Sequence, residues 1–157
     1  MESKLSADEL CEAFRAFIKN RGGRFTPERK AIVEGILQVG KHFVIEDLIA
    51  VLEKQRFRVS MATIYNTINE LLAASFLVKY NIQDKSFYEL GYMQPKHSHQ
   101  ICTMCGRISE FQNPDLDEAV RGQKYKRFTL ADYSLMVYGI CSVCKGQLKR
   151  ANRKNKI

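Results

Sequence analysis

A chain of 157 residues, 45% of them hydrophobic, has room for one domain or two small ones with ordinary cores, which argues against wholesale disorder. No apolar run reaches membrane-span length, and the start Met1-Glu2-Ser3 has neither the basic nor the apolar region of a secretory signal; the expectation is a cytoplasmic protein with no membrane partner. A formal charge of +8 and a pI near 9.3 suit a polyanion partner, although a solvated basic surface would produce the same numbers.

Ser6-Ala7-Asp8-Glu9 has the form of a capping box, and Leu10, Phe14, Phe17 and Ile18 follow at helical spacing until Gly22-Gly23. Thr26-Pro27 reads as an N-cap with proline in the first turn, opening a helix that buries Ile32, Val33, Ile36 and Leu37 and ends at Gly40. A third helix is expected from about Ile45 to Gln55. Ser60 caps a fourth, with Ile64, Ile68, Leu71 and Leu72 inward and Thr63, Tyr65, Asn66 and Asn69 on the other face. The period then shortens: Phe76 to Asn81 and Ser86 to Leu90 are β-branched and aromatic, with Gln83-Asp84-Lys85 as the turn of a hairpin. Short helices followed by a hairpin is the order of a winged helix-turn-helix. Gly91 through Pro95 forms the domain boundary.

Beyond it, Ile108 to Phe111 reads as a short strand, and Asn113-Pro114-Asp115 opens a helix expected to bury Leu116, Ala119 and Val120. Tyr133, Leu135 and Val137 alternate along a further strand, with Met136 and Tyr138 on its opposite face. The expected fold class is therefore α+β: an N-terminal winged helix-turn-helix over 1–92, a small C-terminal α/β domain over 93–150, and a frayed basic tail over 151–157.

Five cysteines in a cytosolic chain favour metal over disulfides. Cys102 and Cys105 form one C-x-x-C and Cys141 and Cys144 another, while Cys11 stands apart. Four thiolates in two close pairs are the usual complement of a closed, tetrahedral structural zinc site, with no open position for catalysis. The insert between the pairs is longer than in a zinc ribbon, but a strand-helix-strand excursion returns the chain to its start. Gly106 and Gly146 are expected to give the backbone room to turn around the ion. A redox dithiol is the weaker alternative, since it needs one such pair and this chain has two.

The three histidines are His42, His97 and His99. In an extended segment His97 and His99 point the same way. On these residues alone, His42 is an ordinary surface or helix-start residue and the pair is balanced between ligand and bystander roles.

The run His97-Ser98-His99-Gln100-Ile101-Cys102-Thr103-Met104-Cys105-Gly106, continuing to Glu110-Phe111, resembles the H-x-H-x-x-C-x-x-C-G…E-F motif of the ferric uptake regulator (Fur) superfamily. The likeness extends to Ser60-x-Ala62-Thr63-Ile64-Tyr65, to Lys41-His42 with Glu46-Asp47-Leu48, to Phe87-Tyr88-Glu89-Leu90, and to Tyr133 through Cys144, so it spans about residues 10 to 145. It implies a second, regulatory metal held by His42, Glu89, His97, His99 and Glu110. It also implies a homodimer, joined through the C-terminal domain, that reads an operator in double-stranded DNA, with Arg29 on a phosphate by family position. A winged helix lays its recognition helix in the major groove, where Ser60, Thr63, Tyr65 and Asn66 are the expected contacts; Arg24, Lys79 and Lys85 are expected on phosphates, although each would serve equally as a solvated charge. The structural ion would be Zn2+. The regulatory ion would be Fe2+ or Mn2+, for which Zn2+ can substitute.

Some positions depart from the family pattern. Where many relatives place ligands of a third metal, this chain has Lys96, Ser98 and Ile140, leaving only Asp117 as an acid. Asn66 stands where iron sensors often carry arginine. Glutamate at 89 and 110, where the peroxide-sensing branch has aspartate, favours iron. The resulting expectation is a metal-dependent DNA-binding repressor of metal homeostasis, most simply of iron, with no small-molecule substrate and no enzymatic activity. Peroxide-, zinc- or haem-responsive members of the same family are the alternatives within it. Outside it stand a constitutive zinc-ribbon nucleic-acid-binding module and a zinc hydrolase, the latter lacking any H-E-x-x-H or similar helix motif.

Overall fold

The computed structural model describes residues 6–82, 84–91 and 97–154. Gln83, the segment 92–96 that holds most of the expected boundary and Lys96, and the last three residues of the tail lie outside that description. The chain divides into two compact units, Met1–Gln94 and Pro95–Ile157.

The first unit runs α1 (Ala7–Asn20), α2 (Pro27–Val39), β1 (His42–Phe43), α3 (Ile45–Lys54), α4 (Met61–Ala73), β2 (Leu77–Ile82) and β3 (Lys85–Leu90). Three of its four helices begin where a hydroxyl side chain satisfies a free N–H group. Ser6 Oγ accepts from the Glu9 amide while Glu9 Oε2 accepts from Ser6, Thr26 Oγ1 accepts from Arg29, and Ser60 Oγ accepts from Thr63. α1 ends in a left-handed turn at Gly22 (φ 74°), where the Gly23 and Gly22 amides close back on Ile18 and Lys19. The same closure ends α3 at Arg56 and α4 at Ser75, both at positive φ without being glycine.

The apolar stripes of the four helices meet in one core around Phe14, Ile32, Val33, Phe43, Leu48, Ile68 and Leu71, each almost wholly excluded from solvent. Gly35 lets α2 approach α3: a Cβ there would lie 2.9 Å from Leu48 Cδ1. The wing hairpin has a tighter turn than expected, with Asp84 at φ 64° and β2 running to Ile82. It gains a third strand: β1 pairs antiparallel with β3, giving the order β1-β3-β2. A two-residue strand carries too little alternation to be read from sequence.

The second unit runs β4 (Ser98–Cys102), β5 (Ile108–Phe111), α5 (Pro114–Gly122), β6 (Met136–Gly139) and α6 (Ser142–Lys154). β4 is central, antiparallel to β5 and parallel to β6. Three details differ from expectation. α5 buries no residue fully; Leu116 and Val120 are half-buried and Ala119 is exposed, since a three-stranded sheet offers the helix little to cover it. Val137 faces out, 46% exposed, and Met136 is the more covered of the two. The chain after Cys144 is helical through Lys154, so Gly146 lies inside α6 and residues 151–154 form its last turn where a loose arm was expected. Among the described residues no helix is long and apolar enough to cross a membrane.

Candidate metal centre and nucleic-acid interface

Cys102 closes β4, Cys105 follows in the turn, Cys141 precedes α6, and Cys144 lies in the first turn of that helix. The parallel pairing of β4 with β6 sets Cys102 opposite Gly139, and the Thr103 amide donates to the Gly139 carbonyl at 2.8 Å, so the two pairs are brought together by backbone. Gly106 (φ 71°) supplies the left-handed turn after the first pair. All four sulfurs lie within 4.8 Å of one another, and Cys105 Sγ is 3.8 Å from Cys141 Sγ. A regular tetrahedron with metal–sulfur bonds of about 2.3 Å has edges of about 3.8 Å, so the cluster has the size of a four-thiolate site.

The electrostatics suit a cation. The Cys141 amide donates to Cys102 Sγ and the Cys144 amide to Cys141 Sγ. Amide bonds, that from Cys141 first, hold the Cys102 thiol down at about 6, and the Cys144 amide lowers Cys141. Cys144 is pushed up to about 12 through its contacts with Cys141 and Cys105 and by burial. Ionising all four therefore calls for a positive ion among them.

The residues implied for a second metal occur as a group in each unit. In the first, His42 on β1 sits opposite Glu89 on β3, with Nε2 3.7 Å from Oε1, and the Glu89 side chain is 5% exposed. In the second, His99 on β4 is 3% exposed and pairs in register with Glu110 on β5; the His97 and His99 rings meet edge to face at 4.8 Å. Strand pairing thus places each carboxylate beside an imidazole within the same unit.

Asp117 is engaged otherwise. Both its oxygens accept from Arg121 Nε at 2.9 Å, and Tyr133 donates its hydroxyl to Oδ1 at 2.6 Å. It lines a cleft of about 300 Å³ with His97, Ser98, Asn113 and Tyr133.

On α4, Tyr65 and Asn66 are exposed and Thr63 is half-buried, its hydroxyl 2.8 Å from that of Ser60. Ser60, Thr63 and Asn66 line a polar cleft of about 540 Å³ together with Arg24, Arg29 and Arg58 at the N-termini of α2 and α4. Sequence reasoning missed Arg58, which stands in an irregular loop with no pattern of its own. It also missed Glu70, whose carboxylate takes the Arg29 guanidinium. Lys79 and Lys85 lie exposed on the wing.

The ferric uptake regulator family model matches residues 20–138. The chain is 29% identical over 150 residues to the ferric uptake regulation protein of Campylobacter upsaliensis, covering 92% of this chain and 95% of the relative. It is 32% identical over 141 residues to the peroxide operon regulator of Bacillus subtilis, covering 89% and 96%. Its fold matches that of the Helicobacter pylori ferric uptake regulator Fur, described as having three functional metal binding sites, with a TM-score of 0.76 at 23% identity over 92% of this chain and 97% of the other. The cysteine cluster, the helices with their wing and a family match over most of the length lead to one conclusion: the chain belongs to the ferric uptake regulator family, and is a metal-responsive regulator and not an enzyme.

Proposed function

We propose that the chain is a cytoplasmic, homodimeric repressor that binds operator DNA when a regulatory metal, most simply Fe2+, is bound. The observation that carries this reading is the division of the ligand set. His42 and Glu89 belong to the unit with the helices and wing, and His97, His99 and Glu110 to the unit with the cysteine cluster. One ion taking ligands from both restricts their relative orientation, and a two-headed DNA reader depends on that orientation. Zn2+ at Cys102, Cys105, Cys141 and Cys144 stabilises the second unit and takes no part in switching. Ser60, Thr63, Tyr65 and Asn66 meet the DNA, with Arg24 and Arg58 on phosphates. Val137, Tyr138, Ile140 and Val143, each about half exposed, put apolar side chains on the edge strand β6 and just beyond it, and a second copy of the chain would cover that edge.

A donor set of imidazole and carboxylate without thiolate accepts Fe2+, Mn2+, Co2+ or Zn2+, so availability in the cell selects the ion. Glutamates at 89 and 110 support an iron sensor. The likeness to the Bacillus subtilis peroxide operon regulator supports a peroxide-responsive second reading. Both are tested by binding to a duplex selected from a randomised pool by Mn(II)-loaded protein, first with chelated, Mn(II)-loaded and anaerobically Fe(II)-loaded protein, then with the Fe(II) form after peroxide. Metal-dependent binding that survives peroxide and subsequent re-reduction with fresh Fe(II), with unchanged protein mass, supports iron sensing. Lasting loss with a mass gain supports the second reading, and binding indifferent to metal rejects both.

A further inference from the structure

The arginine that family likeness assigns to DNA is turned toward the protein. Arg29 in the first turn of α2 donates Nη2 to Glu70 Oε1 at 3.1 Å, and its Nη1 lies 3.1 Å from Oε2 as an ion-pair contact without hydrogen-bond geometry, so the guanidinium fork grips a carboxylate 41 residues away through one hydrogen bond and one ion pair. Its Nη1 also donates to the Arg24 carbonyl at 3.0 Å. The guanidinium end therefore joins three segments: the loop before α2, α2 itself, and α4. The Arg29 side chain is 17% exposed, so most of its surface is committed to these contacts.

Glu70 occupies a telling place on α4. Helical spacing puts Thr63, Asn66, Thr67 and Glu70 on one stripe. Thr63 and Asn66 at the N-terminal end face the polar cleft, Thr67 is fully buried, and Glu70 holds the other end against α2. A rotation or slide of α4 would have to break the fork and pull Thr67 from its fully buried seat. A guanidinium fixes a planar carboxylate in direction as well as distance, which an ammonium does not.

We propose that Arg29 is a positioning residue: through its fork on Glu70 it sets the seat of α4, and the neighbouring Arg24 and Arg58 meet the phosphates. The inference rests on the DNA-binding reading above for its functional consequence, but the coupling itself is a property of the fold. Arg29→Ala and Arg29→Lys should both weaken operator binding, since an ammonium in place of the guanidinium would keep the charge and lose the fork. Glu70→Ala should do the same, although removing an acid beside DNA would by charge alone strengthen binding.

The test is a double-mutant cycle of Arg29→Ala and Glu70→Ala in the full-length, metal-loaded protein, read by thermal unfolding and by titration of the selected duplex over a range of salt. The expected result is that each single variant loses about five- to tenfold in affinity, that the double loses no more than either single, and that the salt dependence stays that of the wild type. Unfolding should show the same non-additivity. A direct phosphate contact would instead lower the log–log salt slope by about one in Arg29→Ala, spare Arg29→Lys, and leave Glu70→Ala as tight as wild type or tighter; that pattern, or additive effects on unfolding, overturns the assignment. Wild-type protein that binds no DNA with any metal would reject the functional reading, while the unfolding cycle would still decide whether the fork couples the two helices.

Discussion

His42 and Glu89 face each other across β1 and β3, with Nε2 3.7 Å from Oε1 and both side chains largely buried. Strand β1 is only two residues long, and its pairing with β3 brings these two side chains together. Glu89→Gln keeps the shape of the side chain and removes its charge. It should lower affinity for the second metal by at least about tenfold while leaving the thiolate-bound metal in place. Competition titration against a metal-sensitive dye measures both; an unchanged second affinity contradicts the ligand assignment.

Cys141→Ser should lose the structural ion and dimerisation together, because binding the ion is part of folding the second unit. Metal analysis after gel filtration, with elution volume, checks this. Retained zinc in a dimer of normal size would contradict it. Cys11→Ser, buried in the helical core of the first unit, should keep its zinc.

Saturation should bring two ions per chain. Asp117, the remaining acid of a potential third site, already receives Arg121 on both oxygens and the Tyr133 hydroxyl. A divalent ion would have to displace a guanidinium to bind there. A third ion in calorimetric titration, with affinity comparable to the second, would contradict this.

Gly35→Leu should destabilise the protein by about 1–3 kcal/mol through overpacking, since even a Cβ at that position meets Leu48 Cδ1 at 2.9 Å. Denaturant unfolding measures the change. A midpoint equal to wild type would show that α2 and α3 can separate at little cost.

Much of this was legible in the sequence, and for physical reasons. Ser6, Thr26 and Ser60 announce helix starts because short hydroxyl side chains satisfy free amides, and all three do so here. The four cysteines were legible because metal chemistry constrains spacing more tightly than packing does. β1 and β4 were less so: His42-Phe43 is too short to alternate, and Ser98-His99-Gln100 is polar, its strand character arising from two neighbouring strands. The loose tail expected from residue 151 instead begins as the last turn of α6, through Lys154, since Gln147, Leu148, Lys149 and Arg150 just before it are good helix formers that carry the helix on. Family likeness placed Arg29 among the DNA contacts, but could not show its pairing with Glu70, which depends on how two helices lie across each other.

The central claim is that a metal held by His42, Glu89, His97, His99 and Glu110 controls DNA binding. The most direct measurement is the affinity of full-length protein for the selected duplex at fixed salt, chelated and then loaded with Mn(II) or Fe(II), in wild type and in His99→Ala. The account predicts that metal tightens wild-type binding by roughly 5–150-fold, the usual range of such coupling. His99→Ala should keep its thiolate-bound zinc and its dimer yet show no metal response. Equal affinities for the chelated and loaded wild type, with the zinc site intact, would contradict the account and leave a regulator whose DNA binding does not depend on this site.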